Sequence, residues 1–368
     1  MLAADQYRWL SRLDMTDKYL GENLIFIISM PRSGSTLLQR VLGGHADIAT
    51  SSEPWIMLHP VYGRRDQGIT TEYSADWAAL GVNEFLEHYT DGPEVYDDGI
   101  RAFARTIYNN AMQKAGGVYF LDKTPRYVLI VDDLIRLFPA ARFVFLIRNP
   151  LSVLSSVVNS QVSHDLWTLE RFSDELLKGP AAITNGIEQL GNDAVVVRYE
   201  DFVAAPEENL KHICDALDVS YADGMLEYDN SANMQGFMQD RTGIHQHSRP
   251  EKSRSESWRE LLKEPQQIHF AQSYLQALGR ETVEAFGYSF DELTAAVAEA
   301  ASAQGGGGSI FPWRVAIKHP DQLRGRDQLS ISRYRNLRDY GPVRGRIRTF
   351  RDFFVGLWRS LKFVLSGG

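Results

Sequence analysis

The chain predicts an α/β fold, a largely parallel sheet flanked by helices, with a basic helical tail appended. Three observations carry that expectation. Short apolar runs of strand length recur at 24–28, 118–121, 143–147 and 195–198. Helical spacing fills the intervals between and after them, at 37–42, around 103–112, and at 128–137, 207–217 and 266–278, and alternation of this kind builds parallel sheets. Finally, residues 305–368 hold thirteen Arg or Lys against four Asp, a net of +9, in a chain whose total is −8. The body therefore carries −17, and it must bind any polyanion through a local basic pocket rather than by net charge.

The first run, 24–28, is continuously apolar, as a strand covered on both faces must be. It leads into Pro31-Arg32-Ser33-Gly34-Ser35-Thr36 and then into a helical segment. A loop between a strand and a helix start directs unpaired N–H groups and the positive dipole end at its contents. Gly34 permits close backbone approach, Ser35 and Thr36 add hydroxyl donors, and Arg32 adds a fixed charge. The loop suits an anion with several oxygens. It lacks the Gly-Lys-Ser/Thr ending of a Walker A loop, whose hydroxyl holds magnesium.

The 118–121 run ends in Asp122-Lys123-Thr124-Pro125-Arg126, which puts a basic side chain at a strand end, with Asp122 placed to orient Lys123 or Arg126. The 143–147 run ends in Arg148-Asn149-Pro150 and continues as a helix through Ser156; Arg is suited to bidentate phosphate pairing. The 195–198 run leads into Tyr199-Glu200-Asp201. In parallel sheets ligands bind at these carboxyl ends.

Hydrophobic content of 44% and charged content of 23% are those of a globular enzyme. A single cysteine, Cys214, excludes an intrachain disulfide and a cysteine metal cluster, and its amphipathic surroundings read as a buried thiol. No apolar export segment or membrane-length run is evident, so a cytoplasmic location is expected. The expected organisation is a catalytic domain over 1–300, a Gly-rich linker over 301–310 and a basic amphipathic tail over 311–368. In the tail, Ile347, Phe350, Phe354, Leu357, Trp358 and Leu361 can share a face among arginines. That pattern suits an anionic membrane surface, a partner helix or an acidic patch on the body, and no nucleic-acid module is present.

The loop 31–36 after a strand resembles the 5′-phosphosulfate loop of sulfotransferases, which use 3′-phosphoadenosine 5′-phosphosulfate (PAPS). Arg148-Asn149-Pro150 with Ser156 resembles the same family's 3′-phosphate motif. The resemblance spans roughly residues 20–290 and implies a P-loop-NTPase-like sheet. It implies that Arg32, Ser33, Gly34, Ser35, Thr36, Arg148, Ser156, Tyr199, Lys252 and Arg254 bind the nucleotide, Lys252 and Arg254 from a late basic loop before Trp258. The stretch 31–53, with its His45-Ala46-Asp47 turn, resembles the tyrosylprotein sulfotransferase branch. That similarity implies Glu53 as general base, with Lys123 and Arg32 at the transferring sulfate and no metal required. The Lys-x-His base segment of the small-molecule branch has no clear counterpart, and His59, His245 and His247 are competing bases.

The resulting expectation is sulfuryl transfer to an acceptor hydroxyl of a small molecule, glycan, lipid or peptide. The alternatives are a P-loop nucleotide kinase or NTPase, and a non-catalytic nucleotide-binding scaffold at a membrane. Acceptor-pocket residues are expected from 55–117 and 159–190, with Trp55, Tyr62, Trp77, Phe85 and Trp167 as liners.

Overall fold

The computed structural model describes residues 18–161 except 67 and 70, then 172–227, 256–304, and 343–354 except 345 and 352. Five strands form one parallel sheet in the order β2-β3-β1-β4-β5. They are β1 (Leu24–Ser29), β2 (Ile48–Thr50), β3 (Tyr119–Asp122), β4 (Arg142–Ile147) and β5 (Ala194–Arg198). The expected strands are all present, shifted by a residue at some ends, while β2 was not anticipated. The described helices are α1 (Ser35–Leu42), α2 (Leu58–Tyr62), α3 (Ala75–Tyr89), α4 (Glu94–Ala115), α5 (Val131–Leu137), α6 (Pro150–Gln161), α7 (Ser173–Leu190), α8 (Tyr199–Ala204), α9 (Pro206–Ala216), α10 (Pro265–Leu278), α11 (Arg280–Ala285) and α12 (Phe290–Gln304).

Strand β1 is central, and all six of its residues are buried. Side chains alternate across a pleated strand, and here the two faces have different chemistry. Ile25 and Ile27 join Leu38, Val41, Leu121, Val144, Val197, Phe202 and Ile213 in a mainly aliphatic cluster under α1, α8 and α9. Each fully buried Ile or Leu contributes about 1.5–3 kcal/mol. Phe26 turns to the opposite face, among the rings of Tyr127, Phe138 and Phe143. That face is closed by α7, whose Gly186 leaves no room for a Cβ against the Phe145 ring.

The expected helix over 128–137 is in fact two pieces. Pro125 opens a 3-10 turn over Pro125–Leu129, Ile130 breaks the geometry at φ −132°, and α5 follows. The helix expected around 103–112 is the interior of α4. Cys214 is buried in α9, and burial pushes its thiol up to about 11.

By packing, the chain forms two compact units. The first comprises residues 1–153 and 178–257, including the sheet; the second comprises 154–177 and 258–368. In the second, α10 packs with α11 and α12, and the buried Tyr274 hydroxyl donates to the Leu176 carbonyl at 2.9 Å. Residues 343–354 are helical where described. They expose Val343, Ile347, Phe350, Phe353 and Phe354. No helix among the described residues is long and apolar enough to cross a membrane.

Candidate active site

The loop after β1 is shaped by two left-handed residues, Arg32 at φ 64° and Gly34 at φ 93°. A side chain tolerates that region poorly, and at position 34 there is a second obstacle. A Cβ on Gly34 would lie 2.5 Å from the Tyr199 ring, so glycine is required by neighbour as well as by torsion. Beyond it, the Gly34 carbonyl accepts from the N–H groups of Leu37 and Leu38, starting α1. The N–H groups of Gly34, Ser35 and Thr36 donate to no carbonyl among the described residues. The buried Ser33 Oγ likewise has no hydrogen-bond partner among the described residues. Unmet donors converging at a helix start fit an oxyanion such as a phosphate or sulfate group.

Arg148, at the end of β4, reaches this loop. Its Nη1 donates to the Arg32 carbonyl at 2.9 Å, and its guanidinium lies 4.1 Å from the Tyr199 ring centroid. Loop, β4 end and β5 end are thereby stacked as Gly34 on Tyr199 under Arg148. The turn into α6 is set by the Asn149 side chain, which accepts from the Leu151 N–H at 2.9 Å, while the Asn149 N–H donates to Glu200 at 3.0 Å. Ser156 is half-buried on α6, in the part of that helix belonging to the second compact unit. Lys252, Arg254, His245, His247 and Trp167 lie outside the described residues.

The second part of the site joins Glu53 to β3. Lys123, 2% exposed, donates from Nζ to Glu53 Oε1 at 2.8 Å and to Thr36 Oγ1 at 3.2 Å. An ammonium group has three donors, so one N–H of Lys123 has no acceptor among the described residues. The indole of Trp55 donates to Glu53 Oε2 at 3.4 Å, and Trp55 itself is held at φ 57°. Arg126 lies 6.0 Å over the Trp55 ring. Glu53, Lys123 and Thr36, far apart in sequence, thus meet beside the loop.

Two supports went unrecognised in the sequence. Gln39, buried in α1, donates to Thr50 Oγ1 at 2.8 Å and to the Ser51 carbonyl at 2.7 Å, and Thr50 Oγ1 donates to the Leu121 carbonyl at 2.8 Å. They tie the Glu53 segment to both α1 and β3. An amide on the sheet-facing side of an amphipathic helix was the available signal. The His45 turn has a structural role: His45 Nδ1 accepts from the Asp47 N–H at 3.1 Å, and the Asp47 carbonyl receives the N–H groups of Val118 and Tyr119.

Some expected positions fall elsewhere. Asp122 orients neither Lys123 nor Arg126. Its carboxylate turns to the aromatic face and accepts from Tyr108, Tyr127 and Thr124, because consecutive strand residues point opposite ways. Trp77 and Phe85 are exposed on α3, and Tyr62 packs under the Arg65 guanidinium at 4.4 Å.

A family model described as Sulfotransferase family matches residues 24–223. That is more than half of the chain, and the chain belongs to the sulfotransferase family. Among curated proteins, it is 30% identical to the nodulation protein NoeE of Sinorhizobium fredii, over 53% of this chain and 49% of that protein. It is 28% identical to a putative protein-tyrosine sulfotransferase of Caenorhabditis briggsae, over 56% of this chain and 69% of that protein. The chain thus spans about half the length of the first and about two thirds of the second. Among solved structures, the sulfotransferase domain from the curacin biosynthetic pathway is 21% identical with a TM-score of 0.45, covering 77% of this chain and 98% of that one.

Proposed function

We propose that this member of the sulfotransferase family moves a sulfuryl group from PAPS to an acceptor hydroxyl, with Glu53 as the general base. The observation that carries the reading is the meeting of Glu53 and Lys123 with Thr36 of the anion-binding loop. Bound PAPS supplies an activated sulfuryl group and a leaving phosphate oxygen. Glu53 takes the proton of the acceptor hydroxyl as the acceptor oxygen bonds to sulfur. The sulfur–oxygen bond to the bridging oxygen breaks, and its electron pair leaves with 3′,5′-adenosine bisphosphate. Arg32 and the Lys123 ammonium offset the charge that develops there. Gly34, Ser35 and Thr36 hold the 5′ end through their N–H groups, with the Ser33 hydroxyl beside them. Arg148, Ser156, Tyr199, Lys252 and Arg254 serve the 3′-phosphate and nucleoside.

A nucleotide kinase is not favoured. The carboxylate at the end of β3, Asp122, faces away from the loop, and a lysine occupies the position facing it. Thermal shift separates the readings. 3′,5′-Adenosine bisphosphate without magnesium is expected to stabilise the chain by about 2.7 kcal/mol at a hundredfold excess over its Kd. Stabilisation that needs ATP and magnesium would sink the proposal. For catalysis, labelled sulfate from PAPS is followed into fractionated cell extract. Glu53→Gln is expected to lose a factor on the order of 10²–10⁴, and near-normal transfer by that variant removes Glu53 from the base role.

The acceptor class stays broad in this proposal. Relatives named as protein-tyrosine sulfotransferases favour a phenolic hydroxyl, and Trp55 beside Glu53 provides an aromatic wall. For the tail we propose an anionic membrane surface at a cytoplasmic face. Val343, Ile347, Phe350 and Phe354 recur at helical spacing and are exposed, with Arg344, Arg346 and Arg351 exposed around them. The full chain should float with phosphatidylserine vesicles at low salt, and a Phe350→Glu/Phe354→Glu chain should not. Equal flotation of the two rejects the tail proposal.

A further inference from the structure

Behind β3 lies a buried polar cluster that takes no part in the reaction as proposed. Asp122 is fully buried, and its carboxylate is met by three hydroxyls. Oδ2 accepts from Tyr108 at 2.6 Å and from Tyr127 at 2.9 Å, and Oδ1 accepts from Thr124 at 3.1 Å. Two of these hydroxyls have second partners. Tyr127 Oη accepts from the Met57 N–H at 3.1 Å, and Thr124 Oγ1 accepts from the Trp55 N–H at 3.4 Å. Both amides belong to the segment that carries Glu53.

The direction of these bonds follows from the charge. An ionised carboxylate can only accept, so each hydroxyl must point its proton at Asp122 and keep its lone pairs for a donor elsewhere. A hydroxyl donating to an anion is also polarised into a better acceptor. Tyr127 and Thr124 are therefore preset to receive backbone N–H groups. Tyr108 donates to the same carboxylate oxygen, and among the described residues no hydrogen bond joins it to the segment.

We infer that Tyr127 and Thr124, oriented by Asp122, are positioning residues that hold the 53–57 segment in register with Lys123 and so fix where Glu53 points. The need for such a clamp is visible in the segment itself. Trp55 is a non-glycine residue held in the left-handed region, a conformation that persists only when neighbours over-determine it. With Gln39 gripping Ser51 upstream, Glu53 is fixed on both flanks. This inference rests on Glu53 being the base.

Tyr127→Phe and Tyr108→Phe form a matched pair. Both are buried, and each change deletes one bond to the same carboxylate oxygen. Only Tyr127→Phe removes an acceptor from the Glu53 segment. Hydrogen exchange over 53–58 and transfer of labelled sulfate from PAPS into the same extract are measured for both, with urea midpoints. We expect Tyr127→Phe to speed exchange at Met57 and to lower the rate at saturating PAPS roughly tenfold or more, since small misplacements of a reacting group cost up to ~10²-fold. Its KM for PAPS should stay within about twofold. Tyr108→Phe should also lose stability, but less, because it leaves no segment N–H without its acceptor, and it should keep both exchange and rate close to the parent. If the two variants lose rate equally, or neither changes exchange at Met57, the inference is overturned. Should Tyr127→Phe fail to fold, Thr124→Val is read in its place against the same criteria. Glu53→Gln run alongside separates the two failures: activity retained there rejects the base reading, whereas an inactive Glu53→Gln with indistinguishable tyrosine variants rejects the positioning role alone.

Discussion

Asp122 and Lys123 are neighbours in the chain, both buried, and they face opposite sides of the same sheet. Lys123 is matched by an opposite charge, Glu53, together with one hydroxyl. Asp122 is matched by three neutral hydroxyls, with the Lys123 charge only a secondary influence. Burial dominates at Asp122 and raises its carboxyl to about 6, against the pull of those hydrogen bonds. The difference teaches what each solution is good for. A charge pair can be re-partnered when an anionic ligand arrives, whereas a hydroxyl cage keeps its geometry and responds to protons.

The largest test of this contrast is Lys123→Met. It leaves Glu53 Oε1 without its ammonium partner and Thr36 of the loop without the buried cation that bonds its hydroxyl. Transfer is expected to fall by a factor on the order of 10²–10³, and urea titration should show a loss of roughly 1–3 kcal/mol. A variant that keeps its rate would break the comparison, because Lys123 would then be only a structural partner.

Next is the response to pH. The folded value of Asp122 lies above its ordinary value of 3.8. The folded state therefore holds the proton more tightly, and this contribution to stability is fully present below 3.8 and lost as pH rises through 6. About two pH units correspond to roughly 3 kcal/mol. Asp122→Asn removes this dependence. The parent should thus gain on the variant in urea midpoint between pH 7 and pH 4.5. A difference that is flat with pH, or of opposite sign, would show that Asp122 is not held as described.

The smallest expected effect is Thr36→Val, which deletes one hydrogen bond to Lys123 while keeping the helix and the Glu53 pair. A cost of about 1 kcal/mol corresponds to roughly fivefold in KM for PAPS. A much larger loss would mean that the hydroxyl, and not the carboxylate, governs where Lys123 points.

Much of the sheet and part of the site could be read in advance for a definite physical reason. Strands β1 and β4 are buried on both faces, so they appear as unbroken apolar runs, and the polar residue that ends each run stands at the ligand edge. That logic places the 31–36 loop, Lys123 and Arg148. Strand β2 has three residues, too few for any pattern to declare it. Helix α3 leaves Trp77, Leu80, Phe85 and Tyr89 exposed, so its apolar residues trace no single core-facing stripe. Asp122 shows where reading stops. Its surroundings depend on the phase of the pleat and on hydroxyls from α4 and the 3-10 turn. Composition carries no record of either.

The stack of Gly34, Tyr199 and Arg148 has a consequence for how this chain can vary. A side chain at position 34 has room only if the ring at 199 is made smaller, and a smaller residue there removes the surface on which the Arg148 guanidinium rests. Single substitutions at these three sites are thus individually damaging, and their effects combine non-additively. Drift through this corner of the molecule requires coupled changes at positions 34 and 199, distant in the chain, whereas the exposed positions of α3 can accept replacements one at a time.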